Sequence, residues 1–464
     1  MDHMRLHWIT LWGRDVQTNT IMSEKRITKS GILMAQIILL HGMVAYYAFA
    51  EEDAFVGPDS ALTYELDHAE PASPTKSTQS GIATQTLDKA ATAALLPGAL
   101  DPSRIVQDGD RMQADLANGW SAELTIDPYL QKRTEAILKR AKVAFSGVVM
   151  IDVRNDDVLV LADHQQDGHP SVPKAAEAGE PSHLTLRPVA PAASVFKVVS
   201  SAALLDSGVK PTQTFGYRRA VRRIGAQHLK SPGPKANRST VGKALASSNN
   251  GFFGRVTDMK LTRDKLLETA TAFGFNRVIP FPLLTGASTA NIPRNRLERA
   301  RMSAGFWNSK LTPLHAALIG SAVAGDGELP TPRFVTRLHG PDGQAVDAPP
   351  RRGISRAMTP QIAKVLRKAM GDTVTKGTAR RAFSKWPKKL SHIKVGGKTG
   401  SLAIRTPYTS YTWFIGYAPV DNPQVAIAVM VGNGEKWWQR AADVARDVLA
   451  AYFSRKAKNT LATR

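Results

Sequence analysis

The spacing of hydrophobic positions divides this chain into an apolar leader, a stretch without periodicity and a long patterned region. Gly31 to Ala50, "GILMAQIILLHGMVAYYAFA", is almost wholly apolar, and from Glu51 to about Gly98 the pattern dissolves into runs such as "EPASPTKSTQSG". That composition predicts a flexible spacer. Alternation returns around Ala122 to Ile126 and predicts a short strand, after which Asp127 is placed to cap a helix and Pro128 to begin it, reaching about Ala141. "SGVVMIDVRNDDVLVLADH" reads as two β-branched strands folded at Asn155 to Asp157, a β-hairpin. After a loop over about 165–192, helical spacing dominates from Ser194 to about Gly327, with apolar faces in "DKLLETATAFGF" and "TPLHAALIGSAVAG". Strand signals resume in "KVGGKTGSLA", "SYTWFIGYAP" and "QVAIAVMVGN", and "WWQRAADVARDVLAAYF" predicts a closing helix. Strands at both ends with helices between them predict an α+β fold, an antiparallel sheet flanked by helices together with an all-helical subdomain.

The leader carries an address. Lys25, Arg26 and Lys29 precede the apolar run and Glu51, Glu52 and Asp53 follow it, so residues 31–50 predict a transmembrane signal anchor whose basic flank stays in the cytoplasm. Ala48-Phe49-Ala50 also fits a signal-peptidase site, which leaves cleavage at Ala50 as the competing reading. The expected division is a cytoplasmic extension over 1–30, the anchor over 31–50, the spacer over 51–120, one domain over 121–456 and a basic tail over 457–464. The bulk of the chain then lies outside the cytoplasmic membrane.

Composition changes this picture only at two points. A net charge of +22 raises the question of nucleic acid, but the basic residues are spread along the chain without a zinc-finger or aromatic RNA-binding pattern, so no nucleic-acid partner is expected. Cysteine is absent, which excludes disulfides and thiolate metal sites, and the eleven histidines include no His-Glu-x-x-His, so neither metal nor cofactor is expected.

The candidate chemistry begins in "APAASVFKVVSSAALLDSG", where Ser194 and Lys197 share one helix face at a spacing of three. A buried ammonium is costly unless paired or deprotonated, and a deprotonated lysine beside a hydroxyl is a base beside a nucleophile. The pattern Ser-x-x-Lys also occurs at Ser73, Ser171, Ser207 and Ser391, but only Ser194 opens a sustained helical run, where backbone N–H groups favour developing negative charge. Downstream comes "ALASSNNGFF", read as Ser247-x-Asn249 with Ser248 between, and then "VGGKTGS", with Lys398, Thr399, Gly400 and Ser401 leading into the strands. Taken singly, the serine and asparagine pair reads as a helix cap and the Lys-Thr-Gly run as a turn.

In this order the three motifs resemble those of the penicillin-binding protein transpeptidases and, more distantly, the serine β-lactamases. The likeness extends through "LTIDPYLQKRTEAIL", "LTPLHAALIGSAVAGDGELPTPRFV" and "TKGTARRAF", about Ala122 to Phe453, with Ala193 where glycine is usual and Ser401 where threonine is frequent. The resemblance implies a β-lactamase/transpeptidase-like fold and a peptidoglycan D,D-transpeptidase working through a serine acyl-enzyme. Its catalytic residues would be Ser194, Lys197, Ser247 and Lys398, with Asn249, Thr399, Gly400 and Ser401 binding substrate and no cofactor. The backbone N–H groups of Ser194 and Ser401 would hold the oxyanion. Its partners would be stem peptides, β-lactams, the cytoplasmic membrane and, given the short spacer, a separate glycan polymerase, with the catalytic domain in the periplasm of a single-pass inner-membrane protein. Alternatives are a non-catalytic scaffold or β-lactam sensor, a D,D-carboxypeptidase and a β-lactamase. The last is disfavoured because Ile279 to Thr289, "IPFPLLTGAST", holds no acid where lactamases with a related motif place the glutamate that activates water.

Overall fold

The computed structural model describes residues 96–462, apart from 221–222, 349–352, 407 and 436–438. The predicted anchor lies outside the described residues, and among those described no helix is long and apolar enough to cross a membrane.

The first elements are strands β1 (Ile105–Asp108), β2 (Arg111–Asp115) and β3 (Ser121–Leu124). This corrects the assignment of 51–120 as spacer throughout, since β1 and β2 pair around Gly109-Asp110 and β2 pairs with β3. Gly109 takes φ +59 at the first turn position, the place that a two-residue hairpin loop reserves for glycine. Helix α1 (Pro128–Arg140) follows, and the Asp127 carboxylate accepts from the Leu130 N–H as its cap, an interaction of about 1 kcal/mol.

Strands β4 (Phe145–Asp152) and β5 (Val158–Gln165) form the predicted hairpin. Helix α2 (Lys197–Asp206) begins three residues later than the helix expected from Ser194, because Ala193–Phe196 form a 3-10 turn. Then come α3 (Val241–Ala246), α4 (Asn250–Lys260), α5 (Arg263–Ala272), α6 (Arg296–Ser303) and α7 (Pro313–Ala324), the helical region that the periodicity anticipates. Strands β6 (Val335–His339) and β7 (Ala345–Asp347) return to β3, and α8 (Pro360–Thr375) and α9 (Arg380–Phe383) lead to β8 (Gly396–Arg405), β9 (Tyr408–Ala418) and β10 (Val425–Asn433). The closing helix α10 runs from Ala441 to Ala462, so the segment read as a tail from 457 continues this helix.

The larger sheet is antiparallel throughout, in the order β8-β9-β10-β4-β5. Its strands are apolar on both faces because both are covered. Along β4, Val149 and Ile151 join a core with α2 and α7, while Val148 and Met150 join a second core with α1, α9 and α10. That sandwich leaves β8 as an edge strand lying beside the 3-10 turn of Ser194.

Candidate active site

A strained turn presents the serine. Ala193 takes φ +49, a left-handed conformation that costs an alanine about 1 to 2 kcal/mol. Two close approaches hold it there. A Cβ on Gly305, itself at φ +86, would lie 2.2 Å from the Ala193 carbonyl oxygen, and one on Gly400 would lie 3.3 Å from the Ala193 Cβ. Trp413 Nε1 adds a 2.9 Å hydrogen bond to the carbonyl of Pro191. The turn is thereby wedged between the segment after α6 and strand β8, with Ser194 half-buried at its surface.

Lys197, at the first position of α2, is completely buried. Its Nζ lies 2.7 Å from Ser194 Oγ, 2.8 Å from Asn250 Oδ1 and 2.5 Å from the Ala304 carbonyl oxygen. Burial, and then the charge of Lys398, hold its pKa well below the ordinary 10.5. A neutral amine has two hydrogens and one lone pair, and these partners match that inventory. With the amine neutral, its hydrogens would go to Asn250 Oδ1 and the Ala304 carbonyl oxygen, atoms that only accept, and its lone pair would receive the Ser194 hydroxyl.

Lys398 is equally buried, and burial lowers its pKa to about 7. Its Nζ donates to Ser248 Oγ at 2.9 Å and to the Thr399 carbonyl at 2.7 Å. Among the described residues neither lysine has a carboxylate within ion-pair reach, so nothing offsets the effect of burial on both or of the Lys398 charge on Lys197. Thr399 Oγ1 meets Thr378 Oγ1 at 2.5 Å. Ser194, Ser248, Asn250, Thr378, Thr399 and Ser401 line one cleft of about 700 Å³.

The middle motif is corrected by one residue. Ser247 is exposed on the outside of the turn, its hydroxyl donating 2.9 Å to the Lys243 carbonyl, and Asn249 caps α4 by accepting from the Phe252 N–H. Ser248, at φ +54, turns inward between them, and Asn250 follows as the first residue of α4. "SSNN" contains two overlapping Ser-x-Asn patterns, and spacing alone does not choose between them. Thr378, in the quoted stretch "TKGTARRAF", received no role from the sequence; Ala246, at the end of α3, lies against its loop, because a Cβ on Gly377 would come within 2.2 Å of the Ala246 carbonyl oxygen. The other six residues singled out in the sequence, Ser194, Lys197, Lys398, Thr399, Gly400 and Ser401, meet at the cleft.

The chain spans about half the length of the curated relatives it matches. The peptidoglycan D,D-transpeptidase PbpA of Mycolicibacterium smegmatis is 28% identical over 256 residues, 53% of this chain and 50% of that protein. The D,D-transpeptidase domain of a peptidoglycan glycosyltransferase from Eggerthella lenta superposes with a TM-score of 0.58 at 26% identity, covering 72% of this chain and 83% of the other. Penicillin-binding protein A from M. tuberculosis, solved as an imipenem acyl-enzyme complex, gives a TM-score of 0.58 at 24% identity, over 72% of this chain and 80% of that one. Residues 146–450, about two thirds of the sequence and all of the cleft described above, match the penicillin binding protein transpeptidase domain, and the chain belongs to that family.

Proposed function

We propose that this protein is a serine D,D-transpeptidase that cross-links peptidoglycan stem peptides and is trapped by β-lactams as an acyl-enzyme. The observation that carries the reading is the fully buried Lys197, its pKa held well below the ordinary value by burial, with its Nζ 2.7 Å from the Ser194 hydroxyl. Ser194 Oγ attacks the carbonyl of the penultimate D-alanine while its proton passes to Lys197, a general-base step of the kind worth 10²- to 10⁴-fold. Negative charge develops on the carbonyl oxygen beside the backbone N–H groups of Ser194 and Ser401, and each such donor contributes about 3 kcal/mol. Ser248, bridged to Lys398, stands where a hydroxyl can hand the proton to the departing amine. The terminal carboxylate is held by the Thr378 and Thr399 hydroxyls in the field of Lys398. D-Alanine leaves, an acceptor amine attacks the ester, and its proton returns along the same route.

Transfer rather than hydrolysis is supported by the cleft's acid content. Among the described residues the one carboxylate lining it is Asp443, which pairs with Arg446 at 3.4 Å and so is not poised to activate water. The reading includes the membrane anchor at 31–50, a periplasmic catalytic domain and a separate glycan polymerase, supported by the leader's charge pattern and the short spacer.

Fluorescent penicillin should label the full chain covalently and fail to label Ser194→Ala, and the wild type should release D-alanine while joining a D-Ala-D-Ala peptide to an amine. Labelling that survives in Ser194→Ala overturns the assignment. Labelling without transfer favours the scaffold or sensor.

A further inference from the structure

The cleft does not stop at the carboxylate-binding hydroxyls. Along β8, Lys398 pairs with Ile415 and Thr399 with Phe414, while Ser401 pairs with Thr412. Ile415 belongs to the core that contains Ala193, whereas Phe414 belongs to the core of α9 and α10, and Thr412 Oγ1 accepts from the Ala441 N–H at the start of α10. Cross-strand partners share a face, so Thr399 and Ser401 turn from the nucleophile's side toward α9 and α10. The cleft follows them over the strand edge and ends among Arg381, Lys385, Arg440 and Arg446.

These cations are not equivalent. Arg446 is committed to structure: its guanidinium pairs with Asp443 and Asp447 and donates to the Ala382 carbonyl, tying α10 to α9. That arrangement uses up Asp443. Arg381 and Lys385 are exposed to the cleft, and among the described residues neither has a carboxylate within ion-pair reach. A substrate with a single terminal carboxylate is already served by Thr378, Thr399 and Lys398, so the two cations beyond them are surplus to its needs. In the pose proposed above, with the leaving D-alanine's carboxylate at Thr378 and Thr399, they line the same cleft that the acceptor must then occupy.

We propose that Arg381 and Lys385 form a second carboxylate subsite beyond Thr378 and Thr399, which makes the enzyme favour acceptor amines that carry two carboxylates. The inference rests on the transpeptidase reading above. The acceptor's α-carboxylate takes the place of the departed D-alanine's, and its side-chain carboxylate reaches the guanidinium of Arg381, whose planar fork suits two-point contact, and the ammonium of Lys385. The chemistry is the ordinary second half-reaction: the Ser194 ester bond breaks, the new amide forms, and the amine's proton goes back to Ser194 Oγ by way of Lys197.

D-Glutamate and D-glutamine are nearly isosteric and differ at this position only in charge. With the full chain, a D-Ala-D-Ala pentapeptide donor and equimolar amounts of both acceptors, the exchange products are separated by mass. The wild type should favour D-glutamate about tenfold at low salt, equivalent to about 1.4 kcal/mol, with the preference falling as ionic strength rises. Arg381→Gln and Lys385→Gln should each lower the ratio, and the double variant should bring it near one; because it is a ratio within one sample, a shared effect on folding or acylation cancels. A wild-type ratio near one, or a preference that survives in the double variant, overturns the subsite. Penicillin labelling of the same preparations separates the two claims: no Ser194-dependent label means that the transpeptidase reading itself has failed, and the subsite falls with it.

Discussion

Replacing Lys398 with methionine should make the protein more stable at neutral pH while crippling its reaction. In the unfolded chain this lysine titrates at its ordinary 10.5, and in the folded protein burial lowers it to about 7. Between those values the unfolded state binds more protons than the folded one, so stability rises with pH through that window and is reduced below it. At about 1.4 kcal/mol per pKa unit, the buried amine costs the folded protein on the order of 4 kcal/mol at pH 7 relative to pH above 10.5. Methionine keeps the apolar length and abolishes the titration. It also gives up the hydrogen bonds to Ser248 and the Thr399 carbonyl, each about 1 kcal/mol. The net expectation is stabilisation by about 2 kcal/mol at pH 7, shrinking to nothing or reversing by pH 10.5. Urea unfolding of wild type and variant at both pH values reads the difference directly. Penicillin acylation should fall at least 100-fold, because Ser248 loses its partner and Lys197 loses the neighbouring charge that helps to lower its pKa. A variant less stable than wild type at pH 7, with a gap unchanged at high pH, would show that Lys398 is not held against its preferred charge state and would remove the electrostatic basis of the site.

The corrected middle motif is tested by neighbouring pairs. Ser248→Ala should slow acylation about 100-fold while Ser247→Ala stays within twofold in stopped-flow penicillin binding. Asn249→Ala should cost about 1 kcal/mol in denaturant melts through loss of the α4 cap, whereas Asn250→Ala should chiefly slow acylation, by leaving Lys197 one acceptor short. Gly305→Ala should lower Tm by several degrees and acylation by at least tenfold, since its new Cβ would meet the Ala193 carbonyl.

Much of this was legible from local chemistry. Asp127-Pro128 announces the start of α1, and the polar turn at 155–157 between two β-branched runs gives the β4-β5 hairpin, because in each case the deciding interaction lies within a few residues. Ser194, Lys197 and Lys398 could be selected because their motifs occur in a fixed order. The unread parts are decided at a distance. Whether Ser247 or Ser248 faces inward depends on one left-handed residue beside the end of α3. The 3-10 start at Ala193 depends on Gly305 and Gly400 pressing from segments more than a hundred residues away. The β1-β2 hairpin was hidden in a polar stretch, where Asp108-Gly109 was the available turn signal and the two short strands have few apolar side chains to pattern.

The lysine amine gathers the end of one helix turn, the start of α4 and the loop after α6 onto a single nitrogen. Loss of native structure in any one of these segments breaks the constellation even when the others persist. A fluorescent β-lactam therefore doubles as a folding reporter: the fraction of chains that take up label counts the molecules in which three remote stretches are simultaneously in place, a census that circular dichroism, averaging over helices, does not provide.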